Sequence, residues 1–587
     1  MVHLGKSGLI SLFIALSFVL PIVVAAQTNS TAPSRKAYSE GLQHLQQNDP
    51  QGALAAFRKA VKSDPRNVDA QNALGQLLLQ QGDADGAILH LREVVRLRPG
   101  LAIAHAYLAN AYESKGDVDA AIRELRTSVK LAPKEPEAHR SLARVLSKKQ
   151  DIDGALSEMR EAVTLAPQRA DLHDELGSLL AQKRDFESAK KEFQTAVAAD
   201  AAYSPAYLHM GALLSATNDA PSAVEWLRKA TELSPQDPQA HYYLGLALVS
   251  IDNKAEAMKA FQKATQLSPQ IPQAFAQLAS LQQKSGDLDA ALVTYGKAVE
   301  LTPQDADLRN TFGLLLLQMG QGGAAEKQFA EAVRLRPDDV GFRGNLAVAY
   351  LQITNFDAAG EELEKALAQA PNRADLHYDY ALVLKLKDKL PAAIEQLQEA
   401  IRLDPTLVDT YYTLGVTQWQ HGDFPEAAKN LESAIKLKPD YAEAFYTLGT
   451  VYKQLNKLPE SATALRRAIE LQPDFVGAHT TLASVLRQMG DTAGADAAQK
   501  ESARLSKEKN SLQGAVLATN SGKRMLAAGD VDGALSQFRN AVRLSPSFAA
   551  AHYQLGMALT QKGQKDEAMA EFKRASDLDP RLQIPPQ

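Results

Sequence analysis

Histidines are the residues of this sequence best suited to acid–base or metal chemistry, and six of the twelve, His105, His139, His173, His241, His377 and His479, stand at multiples of 34 residues from one another. A seventh, His552, keeps that spacing after an offset of five residues. Such a column could be imagined as a metal ladder. Neighbouring helix axes lie about 8–10 Å apart, however, whereas metal ligands converge to about 2 Å, so packing is its expected role. There is no cysteine, which excludes disulfides, thiolate zinc sites and thiol nucleophiles. The sequence holds no glycine-rich phosphate loop, no His-Glu-x-x-His motif and no serine nucleophile elbow. Its 69 acidic residues are spread along the chain, with no pair set apart by an apolar setting as an acid and base would need. The expectation is a protein that is not an enzyme, with no catalytic residue, no metal site and no cofactor.

Other function classes fall on charge. The chain has 64 Lys and Arg against 69 Asp and Glu, a net charge of −5, so no basic footprint for a phosphate backbone exists and no nucleic-acid partner is expected. Near the N-terminus, Lys6 precedes an apolar run over residues 9–20, Pro21 breaks it, and Val24-Ala25-Ala26 supplies small residues for cleavage. Residues 1–26 therefore read as a signal peptide. The alternative is an uncleaved anchor, because residues 9–26 make eighteen, the lower edge of what spans a bilayer. Either reading exports the bulk of the chain to a periplasmic or extracellular location. Residues 27–33 read as a polar linker.

What must position any functional side chain is a repeat. Prolines at 65, 99, 133 and 167, and again from 235 to 473, recur every 34 residues with one doubled step across Ala201, and the period returns at Pro546 and Pro580. With these prolines at position 32, fourteen repeats run in unbroken phase over residues 34–509, a phase break covers 510–514, two repeats fill 515–582, and 583–587 is a tail. Position 8 is Gly or Ala in all sixteen repeats, and position 20 is Ala in all but one, which has Ser461.

The repeat over residues 408–441 shows why. Tyr411, Leu414, Gly415 and Gln418 share one face of a first helix; Gly422-Asp423 stops that helix and caps the next; Ala427, Leu431 and Ala434 line a second helix; Pro439 ends it. Small residues at positions 8 and 20 allow the two helices to approach closely. The set Tyr411, Leu414, Gly415, Ala427, Leu431, Ala434 and Pro439 resembles the tetratricopeptide repeat (TPR) pattern, and comparable sets recur along most of the chain. The resemblance implies an all-α fold, a right-handed superhelical solenoid of antiparallel helix pairs whose first helices line a concave groove. It also implies a protein that holds other proteins or peptides.

Two places depart from the pattern. Lys507 replaces the position-32 proline and Gln499 and Ser502 replace apolar residues, so the second helix there is expected to run past Asn510 and then kink. Gly320-Gln321-Gly322-Gly323 is expected to be soft. At the C-terminus no polar capping helix follows, so Leu559, Phe572 and Ala575 are expected to offer an exposed face for self-association or a partner.

In the TPR family, positions 2, 5, 9, 12 and 13 tend to face the groove. Here the densest set is Asp375, Tyr378 and Lys385, then Asp409, Tyr412 and Trp419, then Glu443, Tyr446 and Lys453, which together suggest acidic and aromatic stripes for an extended ligand with basic and apolar side chains. Packing is the competing role for each tyrosine, and the acids also suit a helix N-terminus. A two-carboxylate clamp would need Asn at position 9 after Lys or Arg at position 5, but Arg140 is followed by Arg144. The reading is an exported scaffold or adaptor binding a protein or peptide in its groove, with the membrane reached only through an uncleaved N-terminal segment. The alternative is a regulatory or substrate-recruiting subunit of a separate enzyme, such as a glycosyltransferase or an envelope polymer-export complex.

Overall fold

A computed structural model describes residues 30–582, so the signal peptide or anchor, most of the linker and the tail lie outside the described residues. Among those described there are 31 α-helices and no strand. The chain divides into two blocks, Met1–Pro303 and Gln304–Gln587. Within each block consecutive helices pair as antiparallel hairpins, and each hairpin packs on the next. No described helix is long and apolar enough to cross a membrane.

The hairpin follows from local chemistry. The helices Val408–His421 and Phe424–Leu437 are joined by Gly422 at φ 99°, a left-handed conformation that glycine adopts without a Cβ clash. Every repeat has a left-handed residue at this position 15; eight use glycine, and the others include the β-branched Thr354 at φ 60°. The following Asp usually caps the second helix, as where Asp117 accepts from the Ala120 N–H at 3.0 Å. Asp423 occupies the same place but accepts no such bond.

Small residues at position 8 make room for the side chain at position 24. A Cβ on Gly415 would lie 2.7 Å from Leu431 Cγ, and one on Gly177 2.7 Å from Phe193 Cε1. Phe57, Phe193, Phe261, Phe329 and Phe538 are all fully buried in this way, each contributing roughly 1.5–3 kcal/mol of burial free energy. Ser461 replaces alanine at position 20 without loss, because its hydroxyl donates to the Gly449 carbonyl at 2.6 Å.

Two expectations are corrected, one is met and one is refined. The first helix begins at Ala32, so the last residues of the expected linker are helical; Pro33 sits in the first turn, where its missing N–H costs nothing. Leu559, Phe572 and Ala575 are buried, not exposed, because the last two helices close on each other and on the hairpin before them. Without a proline at 507, the second helix of the fourteenth repeat runs on past Asn510 to Ala527 as one 36-residue helix. Residues 510–514, the phase break, therefore lie inside that helix, as expected. At Gly320-Gln321-Gly322-Gly323, Gly320 is left-handed while Gly322 is buried, its missing Cβ leaving room for Gln352 and Ile353.

Candidate functional site

The histidine column has a single structural job. Position 4 lies on the first helix, facing the preceding turn and the second helix of its own hairpin. His105, His139, His173 and His552 each donate Nε2–H to the carbonyl of the proline six residues earlier, at 3.0–3.1 Å. Their Nδ1 atoms meet the carboxylates of Glu124, Glu158, Glu192 and Glu571, always 19 residues later at position 23, at 2.5–2.7 Å. His377 makes the same bridge with Gln396, and Arg343 replaces the imidazole with a guanidinium on Pro337 and Glu362. Each bridge ties one repeat to the next.

The nine expected groove residues lie on three successive first helices of the C-terminal block, Ala374–Leu386, Val408–His421 and Ala442–Gln454. The tyrosines are tied to the next element along the groove. Tyr378 Oη lies 3.4 Å from Thr413 Oγ1; the Tyr412 ring packs on Tyr441 with centroids 5.0 Å apart, and Tyr446 packs on Phe475 at 4.7 Å. All three remain half-buried. Trp419 lies half-buried against the core around Ala427, Leu431 and Val451. Lys453 donates to Ser484 Oγ at 2.9 Å, and burial pushes the Lys385 ammonium pKa down.

The acids differ among themselves. Asp375 is held by the Arg373 guanidinium, whose hydrogen bonds keep its pKa below the ordinary carboxylate range. Asp409 accepts from Tyr441 Oη at 3.4 Å, and Glu443 is exposed. Asp379, one position along from Tyr378, was not among the expected residues. It has no hydrogen bond or ion pair among the described residues, and burial, helped by the Asp375 charge, pushes its pKa up to about 6. The available signal was an acid directly after the position-5 tyrosine, which position counting alone did not single out.

Models of the tetratricopeptide repeat match residues 38–102, 78–145, 170–203, 238–271, 272–305, 316–378, 412–474, 446–507 and 520–582, and a TPR repeat model adds 216–251 and 381–422. The chain belongs to the tetratricopeptide repeat family. No curated protein matches it. Among solved structures it is similar to a chain of the APC/C hetero-tetramer Cut9-Hcn1, at 15% identity over 90% of this chain and 97% of that one, TM-score 0.38. It is also similar to YrrB, described as a TPR protein with an unusual peptide-binding site, at 24% identity over 31% of this chain and 95% of that one, TM-score 0.28. MamA matches at 24% over 29% and 92%, TM-score 0.28.

The TPR groove of the N-terminal block has a different character. Arg140 reaches Glu175, Asp171 and Glu137, while Glu113 receives Arg144 and Lys148. Burial would raise the Glu113 pKa, but those two cations outweigh it and bring it below the ordinary value. Asp174, almost fully buried, pairs with His209 Nδ1 at 2.8 Å. Here the TPR position-5 side chain bonds the position-6 side chain of the next repeat, as Arg140 does to Glu175 and Asp174 to His209, so Glu175 and Asp174 are already paired. Among the described residues no group of three or more His, Asp or Glu is placed to hold a metal ion.

Proposed function

We propose that this TPR chain is an exported, non-enzymatic scaffold or adaptor whose C-terminal block holds an extended protein or peptide segment with basic and apolar side chains. The observation that carries the reading is the Asp379 carboxylate, without a partner among the described residues, beside the half-buried Tyr378. A ligand lysine or arginine placed there would restore the charge-assisted hydrogen bonds that Arg140 and His209 give to the acids of the N-terminal block. The tyrosines offer contact area at low entropy cost. Export and a periplasmic or extracellular location rest on the sequence of residues 1–26.

The test is crosslinking in native cells with photo-reactive residues at 412 and 446 in the groove, and at the exposed second-helix position 463 as control. One dominant captured protein at 412 and 446, absent at 463 and lost in Asp379→Lys, is expected. Equal capture at all three positions, or persistence in Asp379→Lys, would overturn the groove reading. Fractionation of the same crosslinked cells shows the compartment; recovery in the cytoplasm would overturn export.

A further inference from the structure

Two histidine bridges lack their second half, since the residue 19 positions later is Ala260 for His241 and Ala498 for His479, and at His479 a cavity stands where that half would be. His479 donates Nε2–H to the Pro473 carbonyl at 2.9 Å like its counterparts, but the residue 19 positions later is Ala498. His479 is only 8% exposed, and its Nδ1 has no hydrogen bond among the described residues. Between Leu458–Leu471 and Thr492–Ala527 lies a cavity of about 470 Å³, with His479, Ala498, Leu482, Ile469 and Arg466 on its wall. The acids around it are engaged: Glu470 is held by Arg467 at 2.9 Å, Glu501 by Arg504 at 2.9 Å, and Asp491 caps Gly494 at 2.8 Å. Arg466 is exposed and has no ion pair among the described residues. The free groups are thus an imidazole nitrogen and a guanidinium, both suited to an anion.

Four other repeats of this chain show what fits such a histidine, a glutamate carboxylate at 2.5–2.7 Å. We propose that the cavity receives a glutamate or aspartate side chain from a partner peptide, its carboxylate on His479 Nδ1 and Arg466 and its methylenes on Ile469 and Leu482. This site uses positions 4, 7 and 11 of the first helix, not the groove positions, and so does not depend on the groove reading. Nε2 must donate to the Pro473 carbonyl, so Nδ1 can donate to a carboxylate only when it too carries a proton. The nearby acids are Glu470, Glu501 and Asp491, and Arg466 is the opposing cation.

The experiment uses the full chain with ¹³C-labelled histidine, titrated with the tripeptide N-acetyl-Leu-Glu-Leu-amide, its Gln counterpart and acetate. The His479 resonance is assigned by its loss in His479→Gln. That resonance is expected to move with the Glu tripeptide and not with the Gln tripeptide, and about tenfold more tightly with the Glu tripeptide than with acetate. Ala498→Glu, which restores the rung internally, is expected to abolish the response, and Arg466→Gln, at an exposed position that cannot disturb folding, to weaken it about tenfold. No response to the Glu tripeptide, an equal response to the Gln tripeptide, or an acetate affinity equal to that of the tripeptide would overturn the proposal. An unchanged affinity in Arg466→Gln would also overturn it, whether or not Ala498→Glu folds.

Discussion

The slot between Ile152–Leu165 and Phe186–Ala199 in the N-terminal block and the slot between Leu458–Leu471 and Thr492–Ala527 in the C-terminal block are lined from the same repeat positions. Arg160 corresponds to Arg466, Val163 to Ile469, Leu176 to Leu482, and Glu192 to Ala498. Their volumes are about 400 and 470 Å³. In the first, Glu192 lies over His173 and bonds it at 2.6 Å, so the histidine is not on the wall; in the second, Ala498 leaves His479 on it. Position 24 has changed too, from the fully buried Phe193 to the exposed Gln499. An eroded repeat is therefore more than a weaker copy. Loss of one structural side chain leaves its partner with free hydrogen-bonding capacity, and the same backbone then presents a site.

The comparison breaks most easily at position 24. Phe193→Ala is expected to lower the stability of the N-terminal block by about 3–5 kcal/mol, and Gln499→Ala to change the C-terminal block by no more than about 0.5 kcal/mol. The two tryptophans, Trp226 and Trp419, lie one in each block, so denaturation followed by fluorescence in single-tryptophan backgrounds reads each separately. Equal losses for the two substitutions would show that the fourteenth repeat still depends on its position-24 side chain.

Next in size is the rung itself. Glu192→Ala leaves the buried His173 Nδ1 without its partner and is expected to cost about 1–3 kcal/mol, whereas Ala498→Glu is expected to add about 0.5–1.5 kcal/mol to the C-terminal block. An unchanged midpoint in Glu192→Ala would mean that the filled and vacant slots are equivalent.

A smaller effect separates the blocks by pH. Desolvation works against the His209 imidazolium, but the hydrogen bond and charge of Asp174, with Asp237 adding to them, raise its pKa above the ordinary 6.5. That stabilisation is fully present below about pH 6.5 and fades as pH rises through the higher folded value. Asp174→Asn is expected to remove this pH dependence from the N-terminal block. At the corresponding first-helix position in the fourteenth repeat, Thr480 bonds Ser502 at 2.7 Å, a pair that does not titrate. In the C-terminal block Asp379 acts in a different window. Its carboxyl keeps its proton in the folded state up to about pH 6 instead of 3.8, so stability falls as pH rises between those values and then levels. Asp379→Asn is expected to abolish that fall, measured as the unfolding midpoint against pH.

The hairpins, their turns and the long helix through Asn510 were legible because proline, glycine and small residues act locally and recur with a fixed period. The burial of Leu559 and Phe572 was not, since it depends on two helices closing on each other, a three-dimensional fact that counting residues after Pro580 misses. Asp379 was missed for a related reason: its raised pKa comes from what surrounds it in space, not from its repeat position. The vacancy at Ala498 was in principle readable, since the 19-residue pairing of histidine with glutamate is periodic. It became a signal only once the structure showed that those two positions touch.

The finest difference lies at the hairpin tips beside the two slots. Lys183 reaches Asp153 of the preceding repeat at 2.6 Å, and Lys115–Asp85 and Lys149–Asp119 repeat the pair at the same 30-residue separation. The equivalent residues at the vacant slot are Met489, 44% exposed, and Pro459, which cannot form an ion pair. Both partners in the Lys183–Asp153 pair are well exposed, so solvent screens their attraction and Lys183→Ala is expected to cause only a small loss of stability, seen at low salt. Added salt at about 1 M, where the screening length falls to about 3 Å, is expected to erase that difference while leaving the loss in Glu192→Ala, whose carboxylate bonds a buried imidazole, nearly unchanged. A Lys183→Ala loss that survives high salt would mean that the lysine stem, packed against the tip, contributes more than its charge.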